Sequence, residues 1–125
     1  LERSVSFCAD PKAVGEARKQ LRGALDGRGV DRQRVQDVLL VTSELVANAV
    51  LHGSRQGDRV ELEFQLVRNR LSLCVRDAGR GREPHVLALG AERTTGRGLA
   101  IVSHLARWSE HEVDGGREVR AEMDL

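Results

Sequence analysis

Two polar side chains, Glu44 and Asn48, interrupt an otherwise apolar run from Val38 to Leu51 (VLLVTSELVANAVL). At about 100° per residue, a spacing of four leaves them about 40° apart on one helical face. Asn is a poor residue for a helix interior because its amide competes for backbone hydrogen bonds. A carboxylate and an amide projecting together from such a helix therefore suit a hard cation or a water better than they suit folding. His52 extends the row by one more turn, and Gly53 follows as a helix stop. The competing account is that the pair lies on the solvated stripe of the helix.

A second locus of potential chemistry is Asp77. Val60, Leu62, Phe64 and Leu66 alternate with charged or polar partners, a short turn holds Asn69, and Leu71, Leu73 and Val75 alternate again, which predicts a hairpin with one buried face. The same alternation carried two residues further places Asp77 on that face, where a lone carboxylate is costly unless something donates to it. Ala78-Gly79-Arg80-Gly81 comes next, with glycines that allow a ligand close to the backbone or a sharp turn. Asp77 capping an ordinary turn is the alternative. From Arg82 to Thr95 the chain has Pro84, scattered charges and a brief apolar patch at Val86 to Leu89, the pattern of a mobile, lid-like loop. Gly96-Arg97-Gly98 then opens Leu99 to Val102, with Leu105 and Ala106 at helical spacing. Glycines ahead of a helix start leave backbone N–H groups and the positive end of the helix dipole for a phosphate, although a glycine pair alone is weak evidence.

The elements that must position these residues follow from periodicity. Ser4 to Ala9 alternates as a strand, Asp10 and Pro11 supply an N-cap and first turn, and the helix after them buries Ala13, Val14, Ala17, Leu21, Ala24 and Leu25. Gly27 to Val30 breaks that helix, and Asp31 caps a second one that runs through Val35, Val38 and Leu39 to His52. Trp108 to Val113 and Arg117 to Met123, joined by Asp114-Gly115-Gly116, form a second hairpin. The order strand, helix, helix, strand, strand, helix, strand, strand predicts an α+β two-layer sandwich, with helices over one face of a mixed, mostly antiparallel sheet. No repeat or low-complexity tract is visible.

Composition narrows the function classes. The 125 residues are enough for one domain with a single core, residues 1–125. Apolar residues are 40% and charged residues 31%, with no apolar stretch long enough to span a bilayer, so a membrane is not an expected partner. Phe7, Phe64 and Trp108 are the only aromatics, and the net charge is +1 although all basic residues but Lys12 and Lys19 are Arg. Neither a base-stacking platform nor a strong field for phosphate backbones is present, which argues against nucleic acid. Cys8 and Cys74, both in strand-like segments without metal-type spacing, read as reduced core or near-core thiols and suit a cytoplasmic setting. His52, His85, His104 and His111 show no zinc-type spacing. There is no secretory leader, and a start at Leu1 rather than Met suits a piece of a longer polypeptide.

Three motifs in order, E-L-V-A-N-A (Glu44 to Ala49), D-A-G-R-G (Asp77 to Gly81) and T-G-R-G-L-A-I-V (Thr95 to Val102), resemble the ATP-binding Bergerat fold of the GHKL superfamily of gyrase, heat-shock chaperone ATPases, histidine kinases and MutL. The small size, short lid and last motif most resemble the anti-sigma factor serine kinases of bacterial partner-switching systems. The resemblance covers nearly the whole chain. It implies ATP or ADP and Mg²⁺ as cofactors, with Asn48 as the metal's side-chain ligand and Glu44 orienting or deprotonating the attacking hydroxyl. Asp77 would accept from the adenine amino group, with Gly79 and Gly81 leaving room for the ring. Gly96 and Gly98 would present backbone N–H groups to the phosphates alongside Thr95 and Leu99, with Arg93 or Arg97 adding charge. The implied partners are an anti-anti-sigma (STAS-type) antagonist protein carrying the acceptor serine and a sigma factor, and relatives of this kind often form homodimers. The other reading is a nucleotide-binding partner switch with weak phosphotransfer. A histidine kinase domain ranks lower because no histidine lies in a dimerisation helix, and the gyrase and MutL branch lower still because no transducer domain follows. One departure stands out. Relatives carry a Thr in the final hairpin strand that shares a water with the adenine-binding Asp, whereas the corresponding run here is Gly116-Arg117-Glu118-Val119, so that Glu118 in the place of that Thr would alter the adenine end of the site.

Overall fold

The computed structural model describes residues 1–79 and 100–125. The motif residues Gly81, Arg93, Thr95, Gly96, Arg97, Gly98 and Leu99, and the loop expected over Arg82 to Thr95, lie outside them. In chain order the elements are β1 (Glu2–Cys8), α1 (Lys12–Leu25), α2 (Arg32–His52), β2 (Arg59–Val67), β3 (Arg70–Asp77), β4 (Arg107–Val113) and β5 (Gly116–Asp124). Residues 100–105, ahead of β4, are also helical.

The α+β architecture expected from the periodicity is the one observed. Helices pack against a five-stranded sheet of order β1-β2-β3-β5-β4. The sheet, expected to be mostly antiparallel, is antiparallel at every pairing among the described residues. The two hairpins supply β2–β3 and β4–β5, and both remaining junctions, β1–β2 and β3–β5, also join strands of opposite direction. β5 pairs directly with β3, leaving β4 outside it at the edge.

Local chemistry sets the element ends. The Asp10 carboxylate accepts the Lys12 N–H at 2.8 Å, and Asp31 caps α2 by accepting the Gln33 N–H at 3.1 Å, in each case satisfying one of the donors a helix start leaves unpaired. Within α2, Thr42 and Ser43 return their hydroxyls to the carbonyls of Val38 and Leu39, which lets hydroxyl residues sit in a buried helix. Arg18 of α1 reaches Ser43 Oγ at 2.7 Å and so ties the helices together. Arg34, near the start of α2, donates to the carbonyl of Asp124 at 2.9 Å and ties that helix to the end of β5.

The core lies between helices and sheet. Ala13, Ala17, Leu21, Ala24 and Leu25 line the inner stripe of α1. They meet Val38, Leu39, Leu45 and Val46 of α2 and the inward residues Leu62, Phe64, Leu71, Leu73, Val75, Val119, Ala121 and Met123 of the sheet. Burying each such Leu or Val side chain stabilises by about 1.5–3 kcal/mol, and with one fully buried aromatic, Phe64, this core relies on number rather than size. The other sheet face carries interlocked charges. Arg76 bonds Glu63 at 2.7 Å and Glu118 at 2.9 Å, and Arg120 bonds Glu118 at 3.0 Å.

Two sequence expectations fail by strand parity. Cys8 is exposed, because it follows the buried Phe7 and so faces outward, where Arg59 donates to its sulfur. Cys74 is part-buried on the charged face, and its thiol donates to Glu118 at 3.0 Å. Burial first, and that bond second, push the Cys74 thiol up to about 12, so it stays protonated.

Candidate functional site

The C-terminal half of α2 and the end of β3 meet at one place. Asp77 ends β3 on the core face, as the alternation required, with its side chain 1% exposed. The helix stop Gly53 lies directly against it: a Cβ there would have the farther carboxylate oxygen, Oδ1, at 2.6 Å and Oδ2 closer still. Gly53 has φ −109° and ψ −4°, a conformation open to any residue. Its role is thus to make room for Asp77 rather than to adopt a left-handed cap.

On the other side, Gly116 opens β5 so close to the strand end that a Cβ would strike the Asp77 backbone carbonyl. Gly79, at φ +65°, stands over Gly116, whose Cα would lie 3.2 Å from an added Cβ. Only glycine adopts that backbone without strain. Three glycines from different segments therefore let helix end, strand end and hairpin converge on one carboxylate.

The burial of Asp77 is compensated by a residue the sequence reading did not single out. Arg117 is its register partner across β3 and β5. The guanidinium donates to Asp77 Oδ2 twice, from Nη2 at 2.6 Å and Nε at 3.1 Å, while Oδ1 accepts the Gly79 N–H at 2.7 Å. A third guanidinium donor, Nη1, reaches Glu110 Oε1 on β4 at 3.0 Å. Arg117 is 6% exposed, and removing either partner of so buried a pair costs about 3–5 kcal/mol by stranding the other charge.

Glu118, expected to face Asp77, does not. It pairs with Arg76 in register and points to the opposite side of the sheet. The Cys74 thiol, then Arg120 and Arg76, hold its carboxyl down at about 2. The signal that marks Arg117 was present in the sequence: it shares parity with Val119, Ala121 and Met123, so it is a charge on a core face, as Asp77 is.

Along α2, Asn48 is 9% exposed and Glu44 is half-buried. Asn48 lies five residues before Gly53, about 7–8 Å up the axis, and Glu44 one further turn away. His52 continues their row at the lower end. Burial and the nearby Arg117 charge both lower its pKa, which ties the row to the Asp77–Arg117 pair. Neither the Asn48 amide nor the Glu44 carboxylate has a hydrogen-bond partner among the described residues. The Asn48 amide keeps contact with solvent and has no protein partner, so its oxygen is available to a hard cation such as Mg²⁺, which takes few protein oxygens and completes its shell with phosphate and water. Among the described residues no cluster of three or more His, Cys, Asp or Glu could hold a metal ion.

No helix of the described residues is long and apolar enough to cross a membrane. The hollow on the charged sheet face, lined by Glu63, Ser72, Cys74, Arg76, Arg120 and Glu122, opens on the side of the sheet opposite Asp77.

Comparison with curated proteins finds no match. Among solved structures, the histidine kinase domain of the Erythrobacter litoralis EL346 blue-light activated histidine kinase is similar at TM-score 0.61 and 20% identity, over 95% of this chain and 62% of that one. The Acinetobacter baumannii histidine kinase AdeS is similar at TM-score 0.54 and 18% identity, over 98% of this chain and 68% of that one. At such identities the likeness is one of fold, and this chain spans less than two thirds of the first of these structures. A family model is more specific: it matches residues 7–123, from the end of β1 almost to the end of β5. On that match, the chain belongs to the histidine kinase-like ATPase domain family.

Proposed function

We propose that this ATPase-family domain is an anti-sigma factor and protein serine kinase, which transfers the γ-phosphate of ATP to a seryl antagonist protein and controls a sigma factor by exchanging partners. The observation that carries the reading is the polar row Glu44, Asn48, His52 running down α2 to Asp77, in the order γ-phosphate, metal and phosphates, base.

In this reading Asp77 accepts the adenine amino group and Asn48 Oδ1 ligates Mg²⁺. When bound, the metal neutralises phosphate charge as the γ-phosphoryl group moves. Glu44, about one turn beyond Asn48, accepts the proton of the attacking seryl hydroxyl. A bond then forms from the seryl oxygen to the γ-phosphorus, the bond to the β–γ bridging oxygen breaks, and ADP leaves. The assignment to serine kinases rests on the three sequence motifs and the small size of the domain.

A second reading, a partner switch that binds nucleotide with little phosphotransfer, is favoured by the Arg117 guanidinium already seated on Asp77. Transfer of labelled γ-phosphate to a seryl antagonist separates the two. Transfer lost in Glu44→Gln supports the kinase, whereas Mg-dependent nucleotide binding without transfer supports the switch. A chain that binds no adenine nucleotide refutes both.

A further inference from the structure

We infer that Arg117 is an internal competitor for the nucleotide base, which must draw the Asp77 carboxylate away from this guanidinium before the site can be filled. The inference rests on Asp77 being the base acceptor, as proposed above.

An ionised carboxylate offers about four acceptor positions. Here Oδ2 takes two guanidinium N–H groups and Oδ1 takes the Gly79 N–H. An exocyclic amino group is a neutral donor, and in a buried site it competes poorly with a cation for the same carboxylate. With Arg117 in place, the site offers a base one remaining acceptor position and a carboxylate whose charge is already balanced.

The fold also provides somewhere for the guanidinium to go. β5 lies between β3 and β4, so Arg117 stands in register between Asp77 on one side and Glu112 on the other. Its Nη1 is already bonded to Glu110 at 3.0 Å. Glu112 is exposed and Glu110 is about one third exposed. A sideways swing therefore exchanges one buried carboxylate for two on β4 at the rim, while the Glu110 bond is kept. Displacement costs the Asp77 contact without stranding the cation.

This arrangement makes Arg117 a specificity-determining residue. It sets a threshold that only a base able to donate into Asp77 and fill the cleared space can exceed.

The test is calorimetric titration of MgATP, MgADP and MgGTP into the full chain, as wild type, Arg117→Gln, Arg117→Met and Asp77→Asn. Gln keeps one donor for Asp77 and guards against loss of folding, whereas Met removes every donor. Freeing the carboxylate should tighten adenine nucleotide binding by about 10- to 100-fold, the range spanned by a hydrogen bond to a charged group, and Asp77→Asn should weaken it. In the wild type, the Arg117 Nε–H resonance should exchange slowly with water in the free protein and faster with MgADP bound, a change a purely structural ion pair would not undergo. If Asp77→Asn weakens binding but Arg117→Gln does not tighten it, the competitor role is overturned while the Asp77 assignment stands. If Asp77→Asn changes nothing, or no variant binds adenine nucleotide, the reading of the site falls and the inference falls with it.

Discussion

Gly53→Ala offers a severe test of how the site is assembled. The backbone at Gly53 suits alanine, so any penalty arises from the added methyl group alone. That methyl would sit against the Asp77 carboxylate. Oδ1 at 2.6 Å would have to recede by about 0.8 Å to reach an ordinary 3.4 Å contact, and Oδ2 by more. The bonds to Arg117 at 2.6 Å and to the Gly79 N–H at 2.7 Å cannot both survive such a shift. Overpacking of this kind costs about 1–3 kcal/mol, rising toward about 3–5 kcal/mol if the buried pair separates. For a chain of this length, at about 3–5 °C per kcal/mol, that is a fall in Tm of about 3–15 °C from overpacking alone and about 9–25 °C if the pair separates. Scanning calorimetry of Gly53→Ala, Asp77→Ala and the double variant gives the coupling directly. With the carboxylate gone, Gly53→Ala should cost no more than about 0.5 kcal/mol, as expected of independent sites. A Gly53→Ala protein with unchanged Tm, or one penalised equally in the Asp77→Ala background, would refute the steric account.

Three further outcomes follow from the same geometry. Asn48→Ala should weaken Mg-dependent nucleotide binding and abolish transfer together, whereas Glu44→Gln should keep binding and slow transfer by about 10²–10⁴-fold; equal binding losses in titration would make Glu44 structural. Glu118, held down at about 2 against an ordinary 4.5, contributes stability that is complete above pH 4.5 and lost as pH falls from there toward 2. Because Arg120 is 59% and Arg76 33% exposed, solvent screening reduces this to about 1–2 kcal/mol; urea unfolding of Glu118→Gln should show a shallower acid loss, and an unchanged slope would contradict it. His52, with its pKa lowered from 6.5 by burial and then by Arg117, is neutral in the folded state, so its contribution is present above pH 6.5 and fades as pH falls below it. His52→Gln should flatten the stability curve between pH 7 and 5, and a curve identical to that of the wild type would count against the burial of His52 beside Arg117.

Much of this fold could be read from periodicity, because each helix and hairpin is specified by residues close in sequence. Asp31 as a cap, the helix through Glu44 to His52, and Asp77 on the core face all follow from counting in steps of 3.6 or two. Reading failed where the partner lies far along the chain. Asp77 required a donor, and the parity of residue 117 with Val119, Ala121 and Met123 marks it, but only the long-range pairing of β3 with β5 joins the two, and a one-residue difference in a strand moves a side chain to the other face of the sheet. Glu118 was thus matched to Asp77 on motif position when the opposing charge, with core parity, was Arg117. Cys8 differs for a local reason: directly after Phe7 in β1, it takes the opposite face of the strand. At Gly53 the residue was noticed and its purpose was not, because the Asp77 carboxylate it accommodates comes from a separate element.

The direct β3–β5 pairing also bears on how a sequence of this kind can change. β3 ends at Asp77 and the next strand in the chain, β4, lies at the sheet's edge, yet β3 is matched to β5 over its full length, from Arg70↔Asp124 to Asp77↔Arg117. No rung of that ladder depends on how many residues make the crossing. A change in the number of residues between positions 79 and 100 thus leaves the β3–β5 register as it is, whereas the segment that returns to β4 is held to the core by Val102, with Leu105 and Ala106 packed against it.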